Sequence, residues 1–363
     1  IHLSIRRQRQ MCIRDSNKGV INMNNIKKIG LSALAGSLVA MSAQAGELGV
    51  SGVWELTYKS DDKANVGNPF GSKSHLAFSG SGDVDGVGTA SFYASTTDNV
   101  GSAFLSHNIM MDMGDMGTFG FDQGVGAFGA SMIDDKSPTA WEESWHNTAN
   151  SSGGLVHSGG SGGVLGYKNT VSGFDISIQY TPALTTADNG DGGTGGDDTS
   201  LANGSNMNFA IQNSTLIDGL AFGIGAGESE YDDSSTAGRE DGSSSVAYAN
   251  YTMGSITAGI TLSDSSNVRS STATATNVGG REVEAYGIAF AVNDNLSISY
   301  NEHNMTYKKS GAGPDVEQES TGIAIAYTMG GATLAIQNNS MDNVTGTAGT
   351  NDEITEVSLS LAF

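Results

Sequence analysis

Chemistry would have to begin at the acids, serines and histidines, and few of these sit beside the partners that catalysis needs. Ser106-His107 and Glu302-His303 put an imidazole next to a nucleophile or an acid, but neither pair has a recognisable third residue to orient the base. Gly124-Val125-Gly126-Ala127-Phe128-Gly129 has the spacing of a dinucleotide-binding turn, yet no helical pattern comes after it and no βαβ unit surrounds it. Gly159-Gly160-Ser161-Gly162-Gly163 fits the spacing of a nucleophile elbow but lacks the strand and helix that would strain the serine. The stretch from Asp188 to Asp198, with Asp191, Asp197 and Asp198, offers hard oxygen ligands that suit a calcium ion stiffening a loop; a plain solvated loop is the competing reading. Beyond residue 45, His75, His107, His146, His157 and His303 share no two-histidine spacing on one element, which argues against zinc. The densest fixed charge is Asp134, Asp135, Glu142 and Glu143 against one base, Lys136, with Trp141, Trp145 and His146 close by. This pattern suits the selection of ions better than hydrolysis, so no enzyme is expected.

The elements that must hold these residues are short and many. The chain has 363 residues with 51 Gly, 4 Pro and 37% apolar residues, too polar for a helical membrane protein and too rich in glycine for a helical bundle. Residues 23–45 read as a secretory signal peptide: Met23, then Lys27 and Lys28, an apolar run from Ile29 to Met41, and Ala43-Gln44-Ala45 as the cleavage site. Residues 1–22 share no composition with the rest of the chain and read as non-native upstream sequence. The remaining segment, 46–363, keeps 10 basic and 38 acidic residues, a formal charge of −28. A polyanion of this kind excludes electrostatic binding of nucleic acid and favours cations. The one cysteine, Cys12, lies upstream, so 46–363 has neither disulfide nor thiolate metal site.

Alternation recurs throughout 46–363. Leu48, Val50, Trp54, Leu56 and Tyr58 fall on one parity, with Ser51, Glu55, Thr57 and Lys59 on the other, which is a strand with one oily and one wet face. The pattern returns in Phe174 to Tyr180, Leu220 to Ile224, Ile256 to Leu262 and Leu296 to Tyr300. Seven short turns, such as Val171 to Gly173 and Met253-Gly254, alternate with eight longer polar stretches near 60–71, 98–104, 124–163, 182–205, 231–241, 264–280, 304–316 and 341–352. This punctuation predicts 16 strands with all long loops on one side, an all-β transmembrane antiparallel up-and-down barrel. The oily parity then faces lipid, because a closed barrel pairs every backbone group internally.

Two segments carry a resemblance. The last strand, Glu353 to Phe363, places Val357, Leu359, Leu361 and a terminal Phe363 on one face, and Met113-Gly114-Asp115-Met116-Gly117-Thr118-Phe119-Gly120-Phe121-Asp122-Gln123 precedes the longest loop. In these features 46–363 resembles the general diffusion porins of Gram-negative bacteria, in particular the 16-stranded alphaproteobacterial kind. The resemblance implies an outer-membrane location, passive passage of small hydrophilic solutes, a homotrimer embedded in outer-membrane lipid, and Phe363 as the signal read by the barrel-assembly machinery. It also implies a third loop folded into the bore, which makes Asp134, Asp135, Glu142 and Glu143 the acidic side of a constriction. The family's opposite wall is arginine-rich, whereas 46–363 holds only Arg239, Arg269 and Arg281. Lys59, Lys73, Lys168 and Arg281 share the lumen parity and would form a thinner basic wall. A sugar- or peptide-specific channel using Trp141 and Trp145, and an outer-membrane barrel enzyme, are the alternatives.

Overall fold

The computed structural model describes residues 48–61, 67–96, 104, 106–146, 163–182, 205–230, 239–269, 278–309, 311 and 313–363. The expected leader, the upstream segment and Asp191, Asp197 and Asp198 lie outside these residues. The chain forms a closed antiparallel barrel of 16 strands in sequence order. They are β1 (Leu48–Asp61), β2 (Phe70–Val84), β3 (Gly88–Ser95), β4 (Ser106–Asp112), β5 (Thr118–Gln123), β6 (Val164–Val171), β7 (Phe174–Thr181) and β8 (Asn206–Ile217). Then come β9 (Leu220–Ser229), β10 (Arg239–Met253), β11 (Ile256–Arg269), β12 (Val278–Ala291), β13 (Leu296–Lys309), β14 (Val316–Met329), β15 (Ala332–Asp342) and β16 (Asp352–Ala362).

Period-two alternation builds the wall. In β14, Gln318, Ser320, Gly322, Ala324 and Ala326 are buried, while Ile323, Ile325 and Tyr327 between them are exposed. Because successive side chains point to opposite faces, a closed sheet sorts them into an inner and an outer set. The outer set is oily right round the barrel, with Leu56 53% exposed, Ile224 55%, Ile288 47% and Ile323 53%. The inner set is rich in Ser, Thr, Asn and Gln. Rows of exposed large apolar side chains on this scale mark a surface made for lipid.

Local chemistry fixes the turns and the seam. Ser172 (φ 52°) and Gly173 (φ 83°) both take the left-handed conformation that a two-residue hairpin between twisted strands requires. Closure joins β1 to β16: the Gly52 N–H donates to the Phe363 carbonyl at 3.1 Å, and the Phe363 N–H returns to the Gly52 carbonyl at 2.9 Å. The Phe363 ring meets Trp54 edge-on at 6.2 Å, so the chain's last aromatic closes the outer face of the seam.

Several strands outrun the expected loops. β11 continues to Arg269, β12 begins at Val278 and β13 runs to Lys309, inside stretches that the sequence reads as loops. Asp264 pairs with Glu282 and Thr306 with Glu317 in unbroken register. The ladder is made by backbone groups, so it continues above the oily band, where the side chains turn polar and alternation disappears. The wall is therefore uneven, with 6 to 8 residues per strand in β3 to β7 and 14 or 15 in β10 to β14.

Candidate functional site

The segment after β5 does not leave the barrel. Phe128 is fully buried and lies over Gly120 of β5, where a Cβ would stand 2.9 Å from its Cζ, and over Gly166 of β6. The Gly129 N–H donates to Ser177 Oγ of β7 at 2.8 Å, and the Ala130 N–H to Asn208 Oδ1 of β8 at 2.8 Å. Ile133 packs with Ala210, Val246 and Tyr248 against β8 and β10. Asn250 of β10 donates to the Lys136 carbonyl at 2.6 Å, and Asn301 of β13 to the Pro138 carbonyl at 2.8 Å. Ser299 accepts the Ala140 N–H at 2.9 Å. Asn339 of β15 donates to the carbonyls of Glu143 and His146, at 3.0 and 2.7 Å, and the His146 imidazole stands 3.5 Å from Glu356 of β16. Residues 128–146 thus meet the inner parity of strand after strand, from β5 to β16, and form a partial collar inside the wall.

The four acids named from the sequence all sit on this collar. Asp135 is exposed, and Asp134, Glu142 and Glu143 are half-buried. Burial pushes the Glu143 carboxyl well above the ordinary carboxylate range, and Asp135 adds to this by its charge and by a shared hydrogen bond. Glu142 is also pushed up by burial, with His146 pulling the other way. Trp145 packs on the inner face of the wall, its ring 4.6 Å from that of His303.

All four basic residues lie on the inner parity, but they are not a bare positive wall. Lys59 sits 3.3 Å from Glu356, and Lys73 sits 3.1 Å from Glu55; both pairs are directly in register, across β1–β16 and β1–β2. Glu55 also accepts the Ser358 hydroxyl. Lys168 lies 5.5 Å from the centre of the Phe128 ring, and Arg281 lies 5.4 Å from that of Tyr307. The sequence reading missed Glu55 and Glu356 as partners. Their signal was available in part, since Glu55 shares the wet parity of Lys59, but the pairing depends on closure between the first and last strands.

The two candidate dyads come apart for the same reason that the barrel forms. Neighbours on a strand face opposite ways, so Ser106 points inward while His107 lies outside against Phe121, ring centres 6.3 Å apart. Likewise His303 is buried under Trp145 while Glu302 occupies the outer parity. Among the described residues, no group of three or more His, Cys, Asp or Glu is placed to hold a metal.

Solved structures share this architecture. A porin refined at 1.8 Å resolution is 14% identical, with 87% of this chain and all of that chain aligned at a TM-score of 0.63. OmpF of Salmonella typhi, in complex with daunomycin, is 14% identical over 89% of this chain and 99% of its own, at a TM-score of 0.64. OmpT, an outer membrane protein of Vibrio cholerae also solved in a trimer form, is 11% identical over 89% of this chain and 99% of its own, at 0.62. At such identities the likeness establishes the fold: this is a porin-type barrel. No family model matches the chain, and neither does any curated protein.

Proposed function

We propose that this chain is an outer-membrane porin, a passive channel for small hydrophilic solutes and ions that prefers cations and does no catalysis. The observation that carries the reading is the sorting of the wall, with an oily outer face, a polar inner face, and a partial collar of residues 128–146 lying on the inner one. On this reading the collar narrows the bore, and Asp134, Asp135, Glu142 and Glu143 supply its fixed negative charge. Lys59, Lys73, Lys168 and Arg281 face them, the first two muted by Glu356 and Glu55. Selection is then geometric and electrostatic, set by cross-section and fixed charge. The signal segment 23–45 exports the chain, Phe363 marks the final strand for assembly, and three copies sit side by side in lipid as in the trimer form of OmpT.

Detergent-purified protein reconstituted into liposomes should make them permeable to small sugars, and a salt gradient across a planar bilayer should give a reversal potential of cationic sign. Impermeable liposomes would end the channel reading. An anionic sign would end the proposed charge selection alone.

A further inference from the structure

The collar rests on one inward row of the wall. Asn250 of β10 pairs in register with Gly259 of β11, Gly259 with Gly287 of β12, Gly287 with Asn301 of β13, Asn301 with Gly322 of β14, and Gly322 with Asn339 of β15. Six neighbouring strands therefore contribute only glycine or asparagine at this level. The inward rows on either side, from Tyr248 to Met341 and from Thr252 to Gln337, contain neither residue.

Each residue type does a separate task. The three asparagines donate to four collar carbonyls, those of Lys136, Pro138, Glu143 and His146. The glycines make clearance. A Cβ on Gly259 or Gly287 would stand 2.9 or 2.8 Å from Pro138 Cδ, and one on Gly322 would stand 2.9 Å from Ser144 Cα and 3.0 Å from its Cβ. Such approaches are closer than real Cβ contacts allow, so the collar lies against strand backbone at these three points.

We propose that this row is the track that positions residues 136–146, with Asn250, Asn301 and Asn339 as positioning residues and Gly259, Gly287 and Gly322 as the clearance. Its effect on the bore rests on the channel reading; its effect on the collar does not. The test is a cross-link. In a Cys12→Ser background, Thr139→Cys with Ser299→Cys replaces two hydroxyl oxygens 3.3 Å apart, one on the collar and one on the wall outside the Asn–Gly row, by thiols that need little movement to reach disulfide geometry. The expected results are near-complete disulfide formation in barrels shown to be folded by heat-modifiable electrophoretic mobility, and at least a tenfold slower reaction when Asn250→Ala and Asn301→Ala are added. With the wall otherwise native, the triple change Asn250→Ala, Asn301→Ala and Asn339→Ala should broaden the distribution of single-channel conductance. Folded barrels that fail to cross-link, or that do so at an unchanged rate without the asparagines, overturn the proposal. Efficient, asparagine-dependent cross-linking in a protein that leaves liposomes impermeable upholds the track and sinks the channel.

Discussion

Glu55 and Glu356 muffle two lysines on the inner face of the wall, so removing their charge should move ion selectivity by a calculable amount. The perturbation is Glu55→Gln with Glu356→Gln, which keeps shape and hydrogen-bonding oxygen while releasing Lys73 and Lys59 from ion pairs of 3.1 and 3.3 Å. Two unit charges in water interact by about 1 kcal/mol at 4 Å, hence by about 0.5 kcal/mol for an ion passing at about 8 Å. A Debye length of about 10 Å at 0.1 M salt roughly halves this. Two charges then shift cations and anions by about 0.5 kcal/mol each in opposite senses, or about fivefold in the permeability ratio towards anions, given an RT of about 0.6 kcal/mol. At 0.01 M, with a Debye length of about 30 Å, the shift grows to roughly tenfold. Reversal potentials in planar bilayers at the two ionic strengths measure both. A shift towards cations, or one that ignores salt, refutes the placement of these carboxylates on the conduction path.

The same geometry sets two further outcomes. The Glu142 and Glu143 carboxyls are raised above the ordinary value of 4.5, so both stay protonated into a range where free glutamates ionise. Cation preference should therefore climb as pH rises through that raised range. The linkage has the opposite sign from a salt-bridged acid: the folded state holds more protons than the unfolded one, so stability falls as pH rises from 4.5 through the raised range. Reversal potentials and urea midpoints across pH check the two statements; flat profiles in both contradict them. Phe363→Ser removes the ring that meets Trp54 at 6.2 Å. It should reduce the yield of heat-resistant folded barrel several-fold in cells while leaving the conductance of correctly inserted molecules unchanged.

The barrel was legible in the sequence because lipid imposes a rule on every strand. Leu48, Val50, Trp54, Leu56 and Tyr58 announce β1 by themselves, and the same holds wherever the outer face crosses the oily band. The rule stops at the edge of that band, which is why the upper parts of β11, β12 and β13 read as loops: Asp264, Glu282 and Thr306 keep the backbone register without any apolar alternation. The inner face is harder to read. The four wall bases could be named from parity, and the four collar acids from the resemblance to porins with an inward third loop, but the partners of Lys59 and Lys73 depend on closure. The Asn–Gly row is less visible still, because it exists only once six strands have taken their stagger. A lone Gly287 or Asn301 means nothing until Pro138 is found lying across it.

The wide span of chain that the collar bridges bears on how the molecule matures. Gly129 finds its partner 48 residues downstream and Ala130 finds its own 78 downstream, but Glu143 must wait for Asn339, 196 residues later. A nascent barrel in which β15 and β16 have yet to join can hold the start of the collar and not its end. It is then both unsealed along one side and unthrottled within, and the arrival of the last two strands corrects both faults together. Leakiness during biogenesis, and its suppression, would thus hang on the C-terminal hairpin.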